Sequence, residues 1–129
     1  MAQARVIHGP TANPETAAYW EATAAGKLLI KRCEACGEFH FYPRALCPFC
    51  FSDRTVWHQV SGRGIIYSFS VMRRASVPYA LAYVTLEEGP SMMTNIVGCD
   101  FNTIRIGQAV RVVFEASDNG QKVPMFTPA

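Results

Sequence analysis

The segment KRCEACGEFHFYPRALCPFCFSDR, residues 31–54, decides the fold of this chain because it holds four of the five cysteines. They form two CxxC pairs with ten residues between the pairs. A CxxC turn presents two sulfur ligands to one side of a metal ion, and two such turns complete a tetrahedron. We therefore predict a four-thiolate metal site, whose ligands are Cys33, Cys36, Cys47 and Cys50.

The predicted metal is zinc in a structural role. Four protein thiolates leave no open coordination position, so zinc held in this way cannot activate water. Its function is instead to fold a segment that is too short to build its own core. Iron in the same cage would give a one-electron carrier, and the cysteine spacing alone does not separate the two metals.

The turns that follow the two cysteine pairs differ in sequence. Gly37 follows the first pair, where a tight turn benefits from a residue that is free to adopt positive φ. Phe51 occupies the equivalent position after the second pair. Two interpretations stay open: the second turn is looser, or Phe51 packs outward on a neighbour.

Upstream of the cysteines, residues 1–26 are expected to form an irregular lead and one helix. Asn13 is the expected N-cap, Pro14 the first helical residue and Gly26 the stop. Tyr19 and its neighbours either dock the helix or line a ligand surface. The predicted packing stripe, at helical spacing, consists of Ala17, Trp20 and Ala24.

Downstream of the cysteines, residues 57–129 are expected to be nearly all β-structure. Five strand-like segments occur, namely GIIYSFSVM, YALAYVTL, SMMTNIV, AVRVVFE and KVPMF. This number of strands, with a connector between the third and the fourth, is typical of an OB-type barrel, and a small sandwich is the alternative. Alternation in the first strand predicts one shared face for Ile65, Tyr67, Phe69 and Val71. The predicted domains are residues 1–26, residues 27–56 with the cysteines, and residues 57–129.

The composition is that of a globular protein, with 129 residues, 50% of them hydrophobic, and a formal charge of +2. A dedicated DNA-binding chain is usually more basic. No apolar run approaches the roughly 20 residues of a membrane span, and the segment MAQARVIHGPTANPE lacks the apolar core of a signal peptide. We therefore expect a cytoplasmic protein, in which paired CxxC motifs bind metal rather than form disulfides.

No catalytic residue is predicted. The chain has no GxSxG, HExxH, phosphate-binding glycine loop or dinucleotide fingerprint. Cys99 would need a base to act as a nucleophile, and no motif brings a histidine to it. A small, partly buried thiol is the favoured interpretation of Cys99.

The order of helix, cysteine module and barrel resembles the acyl-CoA-associated OB-fold proteins of the DUF35 family. The matching segments are GKLLIKRCEACGEFHFYPRALCPFC, VSGRGIIYSFSV, NIVGCDFNTIRIGQAVRVVFE and PMFTPA, which together extend over about residues 19–129. The resemblance implies a mainly β protein with an N-terminal helix, a rubredoxin-like zinc ribbon and a five-stranded OB-fold barrel. Phe51 departs from the family pattern, which usually has glycine at this position.

The resemblance also implies a function. Such proteins are non-catalytic accessory subunits that form a hetero-oligomer with a thiolase-like enzyme, or with a CoA-ester hydratase or aldolase, and help to bind the CoA ester. We expect no turnover by the chain alone. An anionic CoA ester needs basic side chains at the mouth of an apolar groove, and the candidates here are Arg44, Arg63, Arg73 and Arg74.

Two other functions compete with this interpretation. An OB barrel also binds single-stranded nucleic acid through stacked aromatic residues and a basic groove. The candidate stacking residues are Tyr67, Phe69 and Tyr83, but the near-neutral charge argues against this function. Electron transfer is the second competitor, and it requires iron in place of zinc.

Overall fold

The computed structural model describes residues 5–129; residues 1–4, the start of the predicted lead, lie outside the described part. The described chain is mainly β, with one N-terminal helix, as expected. None of its helices is long and apolar enough to span a membrane. In chain order the elements are α1 (Ala17–Ala24), β1 (Leu29–Cys33), β2 (Phe39–His40), β3 (Thr55–Gln59), β4 (Arg63–Met72), β5 (Tyr79–Leu86), β6 (Ser91–Ile96), a short 3-10 helix (Phe101–Thr103), β7 (Ala109–Ala116) and β8 (Lys122–Pro128).

The cysteine module is a three-stranded antiparallel sheet in the order β2-β1-β3. β1 is the central strand, and β3 pairs with it along its whole length. The predicted division between residues 56 and 57 falls inside β3, because that strand begins at Thr55. The backbone N–H of Val60 also bonds to the carbonyl of Leu28, so the sheet leads directly into the barrel.

The remaining strands form a closed barrel in the order β4-β5-β6-β8-β7. β4 closes the barrel by pairing with β7, and β6 and β8 form the parallel contact through Ile96 and Phe126. The 3-10 helix lies in the connector between the third and fourth barrel strands. This architecture confirms the predicted five-stranded OB-type barrel. Its interior is filled by fully buried apolar side chains, among them Ile66, Val84, Val110 and Phe126.

The first barrel strand differs from the predicted alternation. The pairing of β4 with β5 shifts between Ile66 and Ser68, which is a β-bulge at Tyr67. Ile65 and Tyr67 are exposed, whereas Phe69 packs against the core. The prediction of one shared face is therefore wrong, because the extra residue of a bulge reverses the direction of every later side chain.

The helix also begins later than predicted. Residues 14–16 form a turn, and α1 starts after Thr16, whose backbone N–H bonds to the side chain of Asn13. Asn13 thus caps the turn that leads into α1, through reciprocal bonds with Thr16, whereas Thr16 is the N-cap residue of α1 itself. The predicted stripe is wrong too, because the residues of α1 that are buried are Tyr19 and Thr23. The predicted stop at Gly26 is correct: this residue has φ 77° and its N–H bonds to the Thr23 carbonyl.

Candidate functional site

The four cysteines of the two CxxC pairs meet at one end of the three-stranded sheet. Their sulfur atoms all lie within 4.8 Å of one another. Cys33 Sγ lies 3.6 Å from Cys50 Sγ, and Cys36 Sγ lies 3.7 Å from Cys47 Sγ. Each short distance joins one sulfur of the first pair to one of the second, so the two turns face each other as the spacing predicted.

This arrangement fits a tetrahedral zinc ion. Four sulfurs at about 2.3 Å from a central zinc would lie about 3.8 Å apart, close to the observed cross-pair distances of 3.6 and 3.7 Å. The backbone N–H of Cys36 lowers the pKa of the Cys33 thiol, whereas burial raises the pKa of the Cys36 and Cys50 thiols, so binding of a metal by the cluster releases protons. A tetrahedron of protein sulfurs has no open position, so the cluster is suited to a structural ion.

The turns that present the sulfurs have the same geometry in both pairs. The N–H of Gly37 bonds to the Cys33 carbonyl at 2.8 Å, and the N–H of Phe51 bonds to the Cys47 carbonyl at 2.9 Å. Gly37 has φ 80° and Phe51 has φ 64°. The second turn is therefore not looser than the first, and Phe51 adopts the left-handed conformation with its ring exposed.

A cleft of about 690 Å³ separates the ribbon from the barrel. Phe39, Phe41 and Phe49 contribute to its wall on the ribbon side, and the hairpin between β5 and β6 contributes residues 88–91. Glu38 and Glu88 give the cleft an acidic character, and no arginine or lysine lines it. A groove thus lies between the ribbon and the barrel, but its charge does not suit a phosphate group.

The structure does not bring the four candidate arginines together. Arg63 and Arg73 lie near opposite ends of β4, and ten strand residues span about 30 Å. Arg63 is held by Glu87, whose carboxylate oxygens lie 2.9 and 3.2 Å from its guanidinium nitrogens. This bond lowers the pKa of Glu87 and raises that of Arg63.

The other candidate arginines differ in how firmly they are held. Arg44 lies 3.6 Å from Glu15 in the segment that precedes α1. Arg73 donates to the side chain of Asn102 at 3.0 Å. Arg74 makes no side-chain hydrogen bond or ion pair within the described residues.

The potential reactive groups outside the cysteine cluster are isolated. Burial, with the nearby Asp100 charge, raises the pKa of the Cys99 thiol, which disfavours a nucleophilic role. His40 is buried, and its Nε2 accepts a hydrogen bond from the backbone of Arg44. No hydrogen bond in residues 5–129 joins a histidine to a cysteine or a hydroxyl group.

The outer face of β4, β5 and β6 carries an exposed, uncharged surface. Ile65, Tyr67, Tyr83 and Met93 are exposed here, and Tyr83 pairs with Ser68 on one side and Met93 on the other. Residues 65–72, 79–86 and 91–96 contain no charged side chain. That absence of charge was visible in the sequence, but the bulge at Tyr67, after which Phe69 turns toward the core, was not.

The fold and the cysteine cluster define this protein as a zinc-ribbon protein joined to an OB-fold barrel. Residues 20–56 match the rubredoxin-like zinc ribbon domain of ChsH2, and residues 57–115 match its C-terminal OB-fold domain. A DUF35 domain-containing scaffold protein of Methanocaldococcus jannaschii is 35% identical over 72% of this chain and 74% of its own length. The chain therefore belongs to the DUF35 family, as the sequence motifs indicated.

Relatives of this chain include subunits of enzymes that act on CoA esters. A probable enoyl-CoA hydratase alpha subunit of Thermomonospora curvata is 33% identical over 93% of this chain. This chain spans 39% of the length of that relative. The benzoylsuccinyl-CoA thiolase subunit BbsA of Thauera aromatica is 30% identical over 83% of this chain and 79% of its own length.

A solved structure of the Ltp2-ChsH2(DUF35) aldolase is also similar. It superposes with a TM-score of 0.81 and 32% sequence identity, over 93% of this chain and 98% of the matched chain. The likeness extends over both the ribbon and the barrel of the present structure.

Proposed function

We propose that this chain is a non-catalytic accessory subunit of an acyl-CoA-processing complex. Its partner is a thiolase-like enzyme that forms or cleaves a carbon–carbon bond, and the two chains form a hetero-oligomer. The observation that carries the proposal is the likeness to BbsA, because that relative is described as a thiolase subunit and is matched over most of its length. A cytoplasmic location is part of the proposal, because the four thiols must stay reduced to hold a metal.

The chemistry of the described residues supports a role without catalysis. We propose that Cys33, Cys36, Cys47 and Cys50 hold structural zinc, since their sulfurs all lie within 4.8 Å of one another and two cross-pair distances match those around a tetrahedral ion. A closed four-thiolate site offers no position to a substrate. Within residues 5–129 no base bonds to Cys99, so the proposal assigns the acid–base and nucleophilic groups to the enzyme subunit.

The uncharged outer face of β4, β5 and β6 supports contact with a protein partner. Exposed Tyr and Met side chains are enriched in the buried centres of protein interfaces. Single-stranded nucleic acid also stacks on tyrosine, but it requires cations along its phosphates. The centre of this face has none, because the three strand segments lack lysine and arginine.

The cleft between ribbon and barrel supports a contribution to CoA binding. Its phenylalanine-rich wall suits the pantetheine arm, whereas Glu38 and Glu88 repel the phosphates. The backbone of Arg44 bonds to the cleft residue His40, and Arg63 pairs with Glu87, the chain neighbour of the cleft residue Glu88, but neither arginine is among the residues that line the cleft. Arg73 and Arg74 lie toward the other end of β4, so they would contact a different part of the ligand.

The proposal is tested by co-expressing this chain with a thiolase-like enzyme from the same organism. We expect a stable complex in size-exclusion chromatography and thiolysis of a 3-oxoacyl-CoA by the complex only. Adding the purified chain to the inactive enzyme should restore turnover. Full activity of the enzyme subunit alone, or failure of the two chains to associate, would refute the proposal.

A CoA-ester hydratase or aldolase is the second candidate partner. This alternative is favoured by the relative described as a hydratase alpha subunit and by the similar aldolase structure. Parallel co-expression with a neighbouring hydratase-like or aldolase-like subunit separates the candidates. The true partner is the subunit whose own reaction depends on this chain.

A further inference from the structure

The turn at the second cysteine pair carries an exposed apolar cluster, which we call the clip tip. It consists of Leu46, Phe49 and Phe51, whose exposed fractions are 54%, 62% and 76%. These three side chains lie within the six-residue segment LCPFCF, interleaved with two metal ligands. Neither the zinc site nor the barrel core uses them, because all three face solvent.

Phe51 is unfavourable at its position for two independent reasons. Its φ of 64° places the backbone in the left-handed conformation, which is strained for residues other than glycine. Its ring is also among the most exposed apolar side chains of the described chain. Glycine would make the same bond to the Cys47 carbonyl without either cost, as Gly37 does in the first turn. The ring therefore gives the isolated chain no stability that would explain its presence.

The clip tip is held rigidly by the metal-binding turn beneath it. The N–H of Phe51 bonds to the Cys47 carbonyl at 2.9 Å, and the N–H of Phe49 bonds to Cys47 Sγ at 3.4 Å. Cys47 itself is buried. An aromatic side chain on a fixed backbone has only two rotatable bonds, so it loses little conformational entropy on binding, as is usual for the anchor residues that dominate protein interfaces.

The charges near the clip tip favour a protein partner over a membrane. Glu38 lines the same cleft as Phe49, and Asp53 follows the tip in the chain. Two nearby cations are directed to carboxylates, Arg54 to Glu34 at 3.9 Å and Arg44 to Glu15 at 3.6 Å. An anionic lipid surface attracts clusters of basic residues, and this acidic surrounding repels it. A protein pocket with an apolar floor and a neutral or basic rim matches both the rings and the charges.

We propose that the clip tip is the anchor that joins this chain to its enzyme partner, with the Phe51 ring inserted into an apolar pocket of that subunit. The inference rests on the proposed function, since the occupant is the thiolase-like subunit. It adds to that function the residue, Phe51, on which the affinity for the enzyme subunit depends. The strained backbone conformation of Phe51 is retained because burial of its ring in the complex offsets the cost of that strain.

The test compares variants of the full chain for binding to the purified thiolase-like subunit by isothermal titration calorimetry. Phe51→Gly should weaken binding at least tenfold, the size of effect expected for an anchor residue. Zinc content and melting temperature should be preserved, because glycine suits the left-handed turn. Phe51→Asn, which also tolerates positive φ, should show the same loss. Phe51→Trp should retain most of the affinity.

The matched control is Ile106→Ala, because Ile106 is 70% exposed but lies in the loop before β7. This variant should bind like the wild type. If the wild-type chain binds the enzyme and Phe51→Gly binds equally well, the anchor is refuted while the accessory function stands. If the wild-type chain does not bind the enzyme, both proposals fail. Sedimentation with phosphatidylglycerol vesicles that depends on Phe51, combined with unchanged enzyme binding, would refute the anchor in favour of a membrane contact.

Discussion

The carboxylate of Glu15 accepts a 2.6 Å hydrogen bond from the backbone N–H of Ala45, thirty positions further along the chain. Glu15 precedes α1, and Ala45 lies just before the second cysteine pair. At the other end of α1, the Thr23 hydroxyl lies 3.0 Å from the Lys122 carbonyl in β8. The helix is therefore bonded to the ribbon at its start and to the barrel near its end, so it fixes one module relative to the other.

Replacing Glu15 by alanine should loosen the ribbon from the helix. The Ala45 N–H loses its acceptor and Arg44 loses its nearby charge, which should cost about 1–2 kcal/mol of unfolding free energy. Chemical denaturation measures this loss. Glu21→Ala is the control, because Glu21 is exposed and has no side-chain bond in the described structure. Equal destabilisation by the two substitutions would contradict the role of Glu15.

Thr23→Val should weaken the contact between the helix and the last strand. The Thr23 side chain is fully buried, and its hydroxyl lies within 3.0 Å of the Trp20 and Lys122 carbonyls. Valine keeps the shape but removes the hydroxyl, so the expected cost is about 1–3 kcal/mol. Thermal unfolding measures the stability of this variant and of the control Thr11→Val, which changes an exposed threonine. A Thr23 variant as stable as the wild type would show that the hydroxyl is dispensable.

Loss of one ligand should release the metal and unfold the ribbon. Cys47→Ser should abolish stoichiometric zinc, because a buried thiolate is replaced by a poor zinc ligand. Two-dimensional NMR should then show collapsed dispersion for residues of β1 to β3 and retained signals for the barrel. Cys99→Ser is the control and should keep one zinc per chain. A coloured wild-type protein that contains iron would instead support the electron-transfer alternative.

Stability should fall as the pH is lowered through the usual histidine range. Burial lowers the pKa of His40, and Nε2 already accepts a bond from the Arg44 N–H, which a protonated ring cannot do. Below about pH 6.5 the unfolded chain therefore binds a proton that the folded chain does not. His40→Gln keeps an acceptor and should flatten the decline in unfolding free energy between pH 7 and pH 5. If His40→Gln leaves the pH dependence of the unfolding free energy unchanged, groups other than His40 cause the decline.

Local signals made the cysteine site and the barrel predictable. The spacing of the cysteines determines which sulfurs can meet at one metal ion. The strand segments and the turns between them define the barrel, and neither signal depends on distant parts of the chain. The start of α1 was mispredicted because Asn13 bonds to Thr16 in a turn, a local competitor of the helix cap. The face of Phe69 was mispredicted because a single inserted residue, Tyr67, inverts the alternation.

Long-range contacts account for what the sequence could not reveal. The bond from Thr23 to Lys122 joins residues 99 positions apart, and no pattern in either segment indicates it. The capture of Arg63 by Glu87 likewise depends on how β4 pairs with β5. The basic residues could be identified from the sequence. The sequence could not show which of them already form an ion pair with a carboxylate of the same chain.

The closed barrel restricts how a second chain can attach. Each of its five strands has a bonded neighbour on both sides, but β4 meets β7 over three residue pairs and β6 meets β8 through one, so these two seams leave strand edge unpaired. Away from the two seams, recognition of the barrel depends on side chains and not on shared backbone hydrogen bonds. Partner preference can then diverge by exchange of a few surface residues, without disturbing the scaffold, and grafting those residues between relatives should transfer the preference.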